Sequence, residues 1–194
     1  MYDDKIIKKI HPVLFFTANF LFRIQIQANL ITITGFIVGI LCCIATYFNY
    51  YYLALFLLLV NRFFDGVDGE LARLSKPSKF GGFLDIYCDF FFYSLFPLSF
   101  ALGNPNHIFA ACFLIFSFVL SGTSFLASAI IYKNSKLNKS FYYLSGIIEG
   151  FETIILFVLI LIFPSFFSVL AYIFGLLCMI TSFQRVLHCW NKFN

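Results

Sequence analysis

Four aspartates stand where a membrane helix should tolerate none. The chain is apolar from Tyr50 to Val60 and again from Phe90 to Leu102, and between these runs it carries Asp65, Asp68, Asp85 and Asp89. A charged side chain at the centre of a bilayer costs about 2.5–3.5 kcal/mol on insertion scales. Four carboxylates facing lipid would cost on the order of 10 kcal/mol, as much as the stability of a whole domain. They are therefore expected to face inward, with something positive among them. The membrane setting follows from composition: 61% of the 194 residues are hydrophobic, 11% are charged and 30 are Phe. A water-soluble domain of this size has no use for such a balance.

Spacing gives the carboxylates a geometry. Asp65 and Asp68 are three apart and share one face of a helix, as do Asp85 and Asp89, four apart. Two helices joined by a short loop bring those faces together. Clustered carboxylates repel unless a cation lies between them, and an all-oxygen donor set favours Mg²⁺, Mn²⁺ or Ca²⁺ over Zn²⁺. Gly66, Gly69, Gly81 and Gly82 punctuate the stretch. They suit close helix packing, or backbone opened for a bulky ligand beside the metal. Arg73 follows, with Lys76 and Lys79 behind it. Metal-binding acids next to an Arg and nearby Lys suit a pyrophosphate.

The stretch resembles the signature of the CDP-alcohol phosphotransferases, D-x2-D-G-x2-A-R-x8-G-x3-D-x3-D. Asp65, Asp68, Gly69, Ala72, Arg73, Gly81, Asp85 and Asp89 fill its fixed positions. The one departure is a loop of seven residues, not eight, between Arg73 and Gly81. Such a deletion falls where length is tolerated and bears on the loop's donor contacts. The resemblance implies two ions, Mg²⁺ or Mn²⁺, held by Asp65, Asp68, Asp85 and Asp89. It implies that Asp89 is the general base, with Asp85 beside it in the catalytic set. Asp68, Gly69, Ala72, Arg73, Lys79 and Gly81 would bind the donor nucleotide and its phosphates. Asn29 and Thr32 match a short Asn-x-x-Thr pattern common on the family's first helix, near the nucleotide; Asn29 equally suits a plain N-cap. Arg73 has a second reading as a helix-end and headgroup contact.

The remaining chain reads as helices. Residues 1–28 carry Asp3, Asp4, Lys5, Lys8 and Lys9 and show no signal-peptide pattern. Pro12 to Ile26 suits an amphipathic surface helix, or a frayed lead-in. Spans are expected over about 30–49, 51–73, 80–102, 108–132, 141–163 and 166–183. Arg62, three before Asp65, suits a charge partner for the acids, while Glu70 points elsewhere on the helix. Ser121, Ser124 and Ser128 form a stripe of the kind that glues helices. Glu149 and Glu152 lie inside the fifth expected span. They suit acceptor-alcohol binding or pairing with Arg62 or Lys139.

Basic segments near 5–23, 73–79, 133–139 and 185–192 alternate with loops near Asn49, Asn104 and Pro164 that hold no Lys or Arg. By the positive-inside rule both termini and the mouth of the acidic site face the cytoplasm, in the inner membrane. The six cysteines form no C-x-x-C pair and read as small buried hydrophobes. His11, His107 and His188 are isolated, with no chemistry assigned.

The expected protein is all-α. An interfacial segment (1–28) precedes a bundle of six transmembrane helices (29–187) and a short cytoplasmic tail (188–194). Its expected activity, implied by the resemblance, is transfer of a phosphatidyl group from CDP-diacylglycerol to a small alcohol, releasing CMP in phospholipid biosynthesis. A soluble CDP-alcohol with a lipid acceptor is the family's other mode. Partners are membrane lipids and, from the resemblance, a second copy as homodimer; nucleic acid is not among them. Two rivals stand outside the family: a UbiA-type prenyltransferase, which also splits a pyrophosphate with Asp-rich motifs, and a carrier using intramembrane carboxylates. The first lacks the D-G-x2-A-R run. The second commonly shows inverted repeats, and residues 104–194 hold no second acidic motif.

Overall fold

A computed structural model describes residues 3–133, 146 and 148–193, with side chains described from residue 11 onward and not at 132–133. Among these residues every regular element is helical. The helices are α1 (Asp3–Arg23), α2 (Ala28–Tyr47), α3 (Tyr51–Leu74), α4 (Lys79–Gly103), α5 (Ile108–Lys133), α6 (Gly150–Ile162) and α7 (Phe167–Phe193). The chain forms two compact units, Met1–Ser99 and Phe100–Asn194.

In the first unit α2 and α1 both pack on α3. Ala18 of α1, Ile31 of α2 and Val67 and Leu71 of α3 are buried together, with Leu14, Leu21 and Phe64 around them. Small residues let the backbones approach, as membrane helices require. A Cβ on Gly35 would lie 3.0 Å from the Phe64 Cβ, and one on Gly39 would lie 3.1 Å from Asn61 Nδ2. Cys42, fully buried, donates its thiol to the Ala54 carbonyl at 3.2 Å.

Two sharp ends fix this unit's register. α1 stops at Arg23, short of the expected Ile26, because Gln25 takes φ 60°. Its N–H bonds to the Phe22 carbonyl, and that of Ile26 bonds to Leu21. Asn49 repeats this at the end of α2, with φ 61° and bonds from Asn49 to Thr46 and Tyr50 to Ala45. Both are Schellman caps built without glycine. The start of α2 also differs from one expectation: Gln27 is the N-cap, and Asn29 lies inside the helix.

In the second unit α5 packs along α7. A Cβ on Gly175 would come within 2.6 Å of the Phe113 ring, so glycine sets the distance of closest approach. Phe100 and Phe167 stack at 4.1 Å, and His107 shares a 2.7 Å hydrogen bond with Ser168. The histidine thus pins a turn.

Among the described residues four helices are long and apolar enough to cross a membrane: α2, α4, α5 with the turn before it, and α7. Six spans are expected. α3 has the length, yet its C-terminal half carries Arg62, Asp65, Asp68, Glu70 and Arg73. α6 is 13 residues long, on the order of 20 Å. Its helix begins at Gly150, not inside a span starting at Phe141. Residues 134–145, including Lys136 and Lys139, lie outside the described residues. α7 runs ten residues past the expected end at Phe183 and carries Arg185 on its packed face. Arg185 is buried, donates to the carbonyl and hydroxyl of Ser121 at 3.0 and 3.3 Å, and lies over Phe125. It is an internal strut, contrary to its expected place among basic residues at the membrane boundary. Ser121 accordingly serves as helix glue.

Candidate active site

α3 and α4 present their acidic faces to one another. Helical periodicity puts Asp65 and Asp68 on one side of α3 and Asp85 and Asp89 on one side of α4. One carboxylate oxygen from each of Asp65, Asp68 and Asp85 lies within 4.8 Å of the others. Thr32, Gly35 and Arg62 line the same cleft with all four aspartates. Asp68 is 6% exposed, and its Oδ2 is buried with no hydrogen-bond partner among the described residues. Leaving a carboxylate oxygen so placed costs several kcal/mol, which a cation in the cleft would offset. Three convergent hard oxygens, with an unsatisfied carboxylate oxygen on one of the same residues, fit a divalent cation.

Asp89 stands differently. Its Oδ1 accepts a hydrogen bond from Arg62 at 3.1 Å, and the same guanidinium nitrogen lies 3.4 Å from Asp65. The positive charge that the burial argument requires is thus supplied from α3 itself, one turn before Asp65.

The expected donor-binding residues fall into three groups. Asn29 faces Gly81: a Cβ there would lie 2.9 Å from Asn29 Oδ1. The Ser78 hydroxyl accepts the Gly81 N–H at 2.8 Å and so caps the start of α4. Thr32 lines the acidic cleft. Arg73 folds back along α3, its terminal nitrogens 3.7 Å from where a Gly69 Cβ would be. Glu70 holds it there through bonds of 2.6 and 3.3 Å. Ala72 is half-buried on the same helix, and Lys79 is exposed at the start of α4.

Glu149 and Glu152 do not lie within a continuous span. Glu149 is the N-cap of α6, and Glu152 accepts the Glu149 backbone N–H at 2.9 Å, closing a capping box. The Gly146 N–H bonds to the Glu149 carboxylate. Both acids thus satisfy the start of a helix, which their three-residue spacing equally encodes.

Two contributors, His11 and Asn61, escape sequence reasoning, and a third, Glu70, reads there only as a secondary candidate. Glu70 is buried and grips Arg73, and His11 of α1 lies 3.4 Å from Glu70. Asn61 is buried between α2 and α3 and bridges Gly35 to Arg62. An Asn and an Arg side by side at the end of an apolar run were the available signal for the last.

A family model described as CDP-alcohol phosphatidyltransferase matches residues 25–184, most of the chain. The chain belongs to the CDP-alcohol phosphatidyltransferase family. It is therefore a phosphotransferase, and the matched span contains all four aspartates. The Inner membrane protein YnjF of Escherichia coli is 41% identical over 193 residues, 96% of this chain and 94% of that protein. The archaetidylinositol phosphate synthase of Pyrococcus horikoshii is 45% identical over 65 residues, 33% of this chain and 35% of that one. A crystal structure of the Mycobacterium tuberculosis phosphatidylinositol phosphate synthase PgsA1 with CDP-DAG bound superposes with a TM-score of 0.75 at 18% identity. It covers 92% of this chain and 94% of that one, so the two share a fold. The same synthase has been crystallised with manganese and citrate. Membership in the family leaves the prenyltransferase and carrier readings without a feature to carry them.

Proposed function

We propose that this phosphotransferase moves a phosphatidyl group from CDP-diacylglycerol to a small alcohol and releases CMP, a step of phospholipid biosynthesis. The observation that carries the reading is the convergence of Asp65, Asp68 and Asp85 oxygens within 4.8 Å, beside a buried Asp68 Oδ2 that has no hydrogen-bond partner among the described residues. A lipid-borne donor suits a site between apolar helices, where its tails stay in the membrane and its head enters the cleft. The PgsA1 structure with CDP-DAG supports that choice through the shared fold.

Asp65, Asp68 and Asp85 would hold a divalent cation, Mg²⁺ or Mn²⁺, and a second ion would draw on Asp85 and Asp89. Such ions supply charge neutralisation at the two phosphates. The chain's own groups do the rest. Asp89 takes the proton from the attacking hydroxyl as the new P–O bond forms and the bond to the CMP phosphate breaks. Arg73, aimed by Glu70, binds the donor phosphates. Asn29 and Thr32 of α2 and Gly81 of α4 border the nucleotide, with Gly69, Ala72 and Lys79 around it. Gly81 keeps the wall thin where Asn29 reaches across. Glu149 and Glu152 are the acceptor-side candidates.

The chain lies in the inner membrane with six spans, both termini and the cleft mouth facing the cytoplasm, and it works as a homodimer. The name of the Escherichia coli relative supports the compartment. The domain bounds 29–187 and the surface role of 1–28 belong to the same proposal.

CMP release in mixed micelles with CDP-diacylglycerol, Mn²⁺ or Mg²⁺ and a panel of alcohols tests the reading. Release should require the metal and one alcohol, and Asp89→Asn should lower it by about 10²-fold or more, the typical size of a general-base contribution. Release from soluble CDP-alcohols alone would replace the donor. No release from any CDP-alcohol by folded protein would sink the proposal.

A further inference from the structure

The four aspartates share their cleft with a fixed cation. Arg62 is 17% exposed and sits between Asp65 and Asp89. Its placement is built from three helices. On α2, the Gly35 carbonyl accepts from Asn61 Nδ2 at 2.8 Å. Asn61 Oδ1 in turn accepts from Arg62 Nε at 2.8 Å, which fixes the plane of the guanidinium. On α4, the Phe92 ring lies under that plane, 5.6 Å from centroid to Cζ. Gly39 makes room for this frame, since a Cβ there would meet both Asn61 and Phe92 at 3.1–3.2 Å. Only then does the terminal nitrogen Nη1 reach Asp89 at 3.1 Å and Asp65 at 3.4 Å.

This arrangement does two things at once. It holds the Asp89 carboxylate on the Arg62 side of the cleft, apart from the three oxygens that converge. It also places a permanent unit charge beside a site suited to a divalent cation, and like charges oppose one another. We propose that Arg62 is a positioning residue that orients Asp89 and deliberately weakens the cleft's hold on its divalent cation, with Asn61 as its anchor. A weaker hold suits a site whose cation must shift its contacts as the phosphates change partners. The part of this inference that concerns turnover rests on the transferase reading; the part that concerns cation affinity does not.

The test uses the full-length protein in detergent, titrated with Mn²⁺ alone while the free ion is followed by electron paramagnetic resonance. Arg62→Gln should bind Mn²⁺ at least about tenfold more tightly than wild type, the scale expected for removing a unit charge near a divalent ion at a protein–water boundary. Arg62→Lys, which keeps the charge and loses the fork, should restore wild-type affinity. In the CMP assay Arg62→Gln and Asn61→Ala should lose about tenfold or more in kcat with donor KM within about threefold, as expected of a misoriented base. A merely structural arginine would not tighten metal binding when removed. Unchanged or weaker Mn²⁺ binding by folded Arg62→Gln overturns the proposal. Should that variant not fold, Asn61→Ala decides: kcat falling while Mn²⁺ affinity holds supports the frame, and unchanged kcat overturns it. If wild-type protein releases no CMP from any donor, the transferase reading fails, and the Mn²⁺ comparison of Arg62→Gln with Arg62→Lys still decides whether Arg62 opposes the cation.

Discussion

Gly81 and Gly82 are neighbours with opposite surroundings. A Cβ on Gly81 would press on Asn29 Oδ1 and the Ser78 hydroxyl at 2.9 and 3.0 Å, whereas nothing lies within 4 Å of one on Gly82. Gly81→Val should therefore push Asn29 aside and raise donor KM about tenfold, an overpacking cost of roughly 1–3 kcal/mol. Gly82→Ala should leave KM unchanged, and steady-state kinetics on the pair checks this. Equal effects would place the nucleotide elsewhere. The motif marks Gly81 by spacing, yet the reason it must be glycine is a side chain 52 positions away on another helix. Glu70 teaches the same lesson. It is buried and clamps Arg73, although helical phase puts it off the aspartate face. Phase tells which face a residue takes; it does not tell what a neighbouring helix lays against that face.

At the level of the helix, apolar length was legible and helix ends were less so. Five of the six expected spans begin within two residues of the observed helices, because a long apolar run marks where a helix starts, whether or not it crosses a membrane. Gln25 and Asn49 end α1 and α2 in a left-handed conformation that carries no glycine signature. The start of α6 was hidden because Glu149 and Glu152 fit a span's interior and a capping box equally well by spacing. Close packing of α5 on α7 depends on Gly175, whose added Cβ would meet the Phe113 ring at 2.6 Å. Gly175→Leu should thus destabilise the protein by about 1–3 kcal/mol, seen as a lower midpoint in thermal unfolding in detergent. An unchanged midpoint would mean that the α5–α7 contact contributes little to stability.

For the molecule as a whole, charge distribution carries the topology. The proposed orientation puts the α3–α4 loop with Lys76 and both termini in the cytoplasm. Because Arg185 is turned inward, the basic signal at the C-terminal end rests on Lys192. Reporter fusions after Ser78 and at the C-terminus should be active as cytoplasmic reporters, and fusions at Asn104 as external ones. An external reporter at Ser78 would invert the molecule and move the cleft mouth away from cytoplasmic CDP-alcohols.

The chain's letters alone sufficed for its all-helical class and its family. Apolar runs, all-oxygen donors and aspartates at helical spacing are local properties, set by residue type and a 3.6-residue period, so they survive without knowledge of packing. Arg62 reaching Asp89, Asn61 anchoring Arg62, Glu70 gripping Arg73 and Arg185 bracing α5 all join residues whose meeting depends on how helices cross and where caps end them. Those crossings are fixed by close contacts at small residues such as Gly35, Gly39 and Gly175. Only the packed structure therefore decided which charges pair and which aspartate oxygen, among the described residues, is buried without a hydrogen-bond partner.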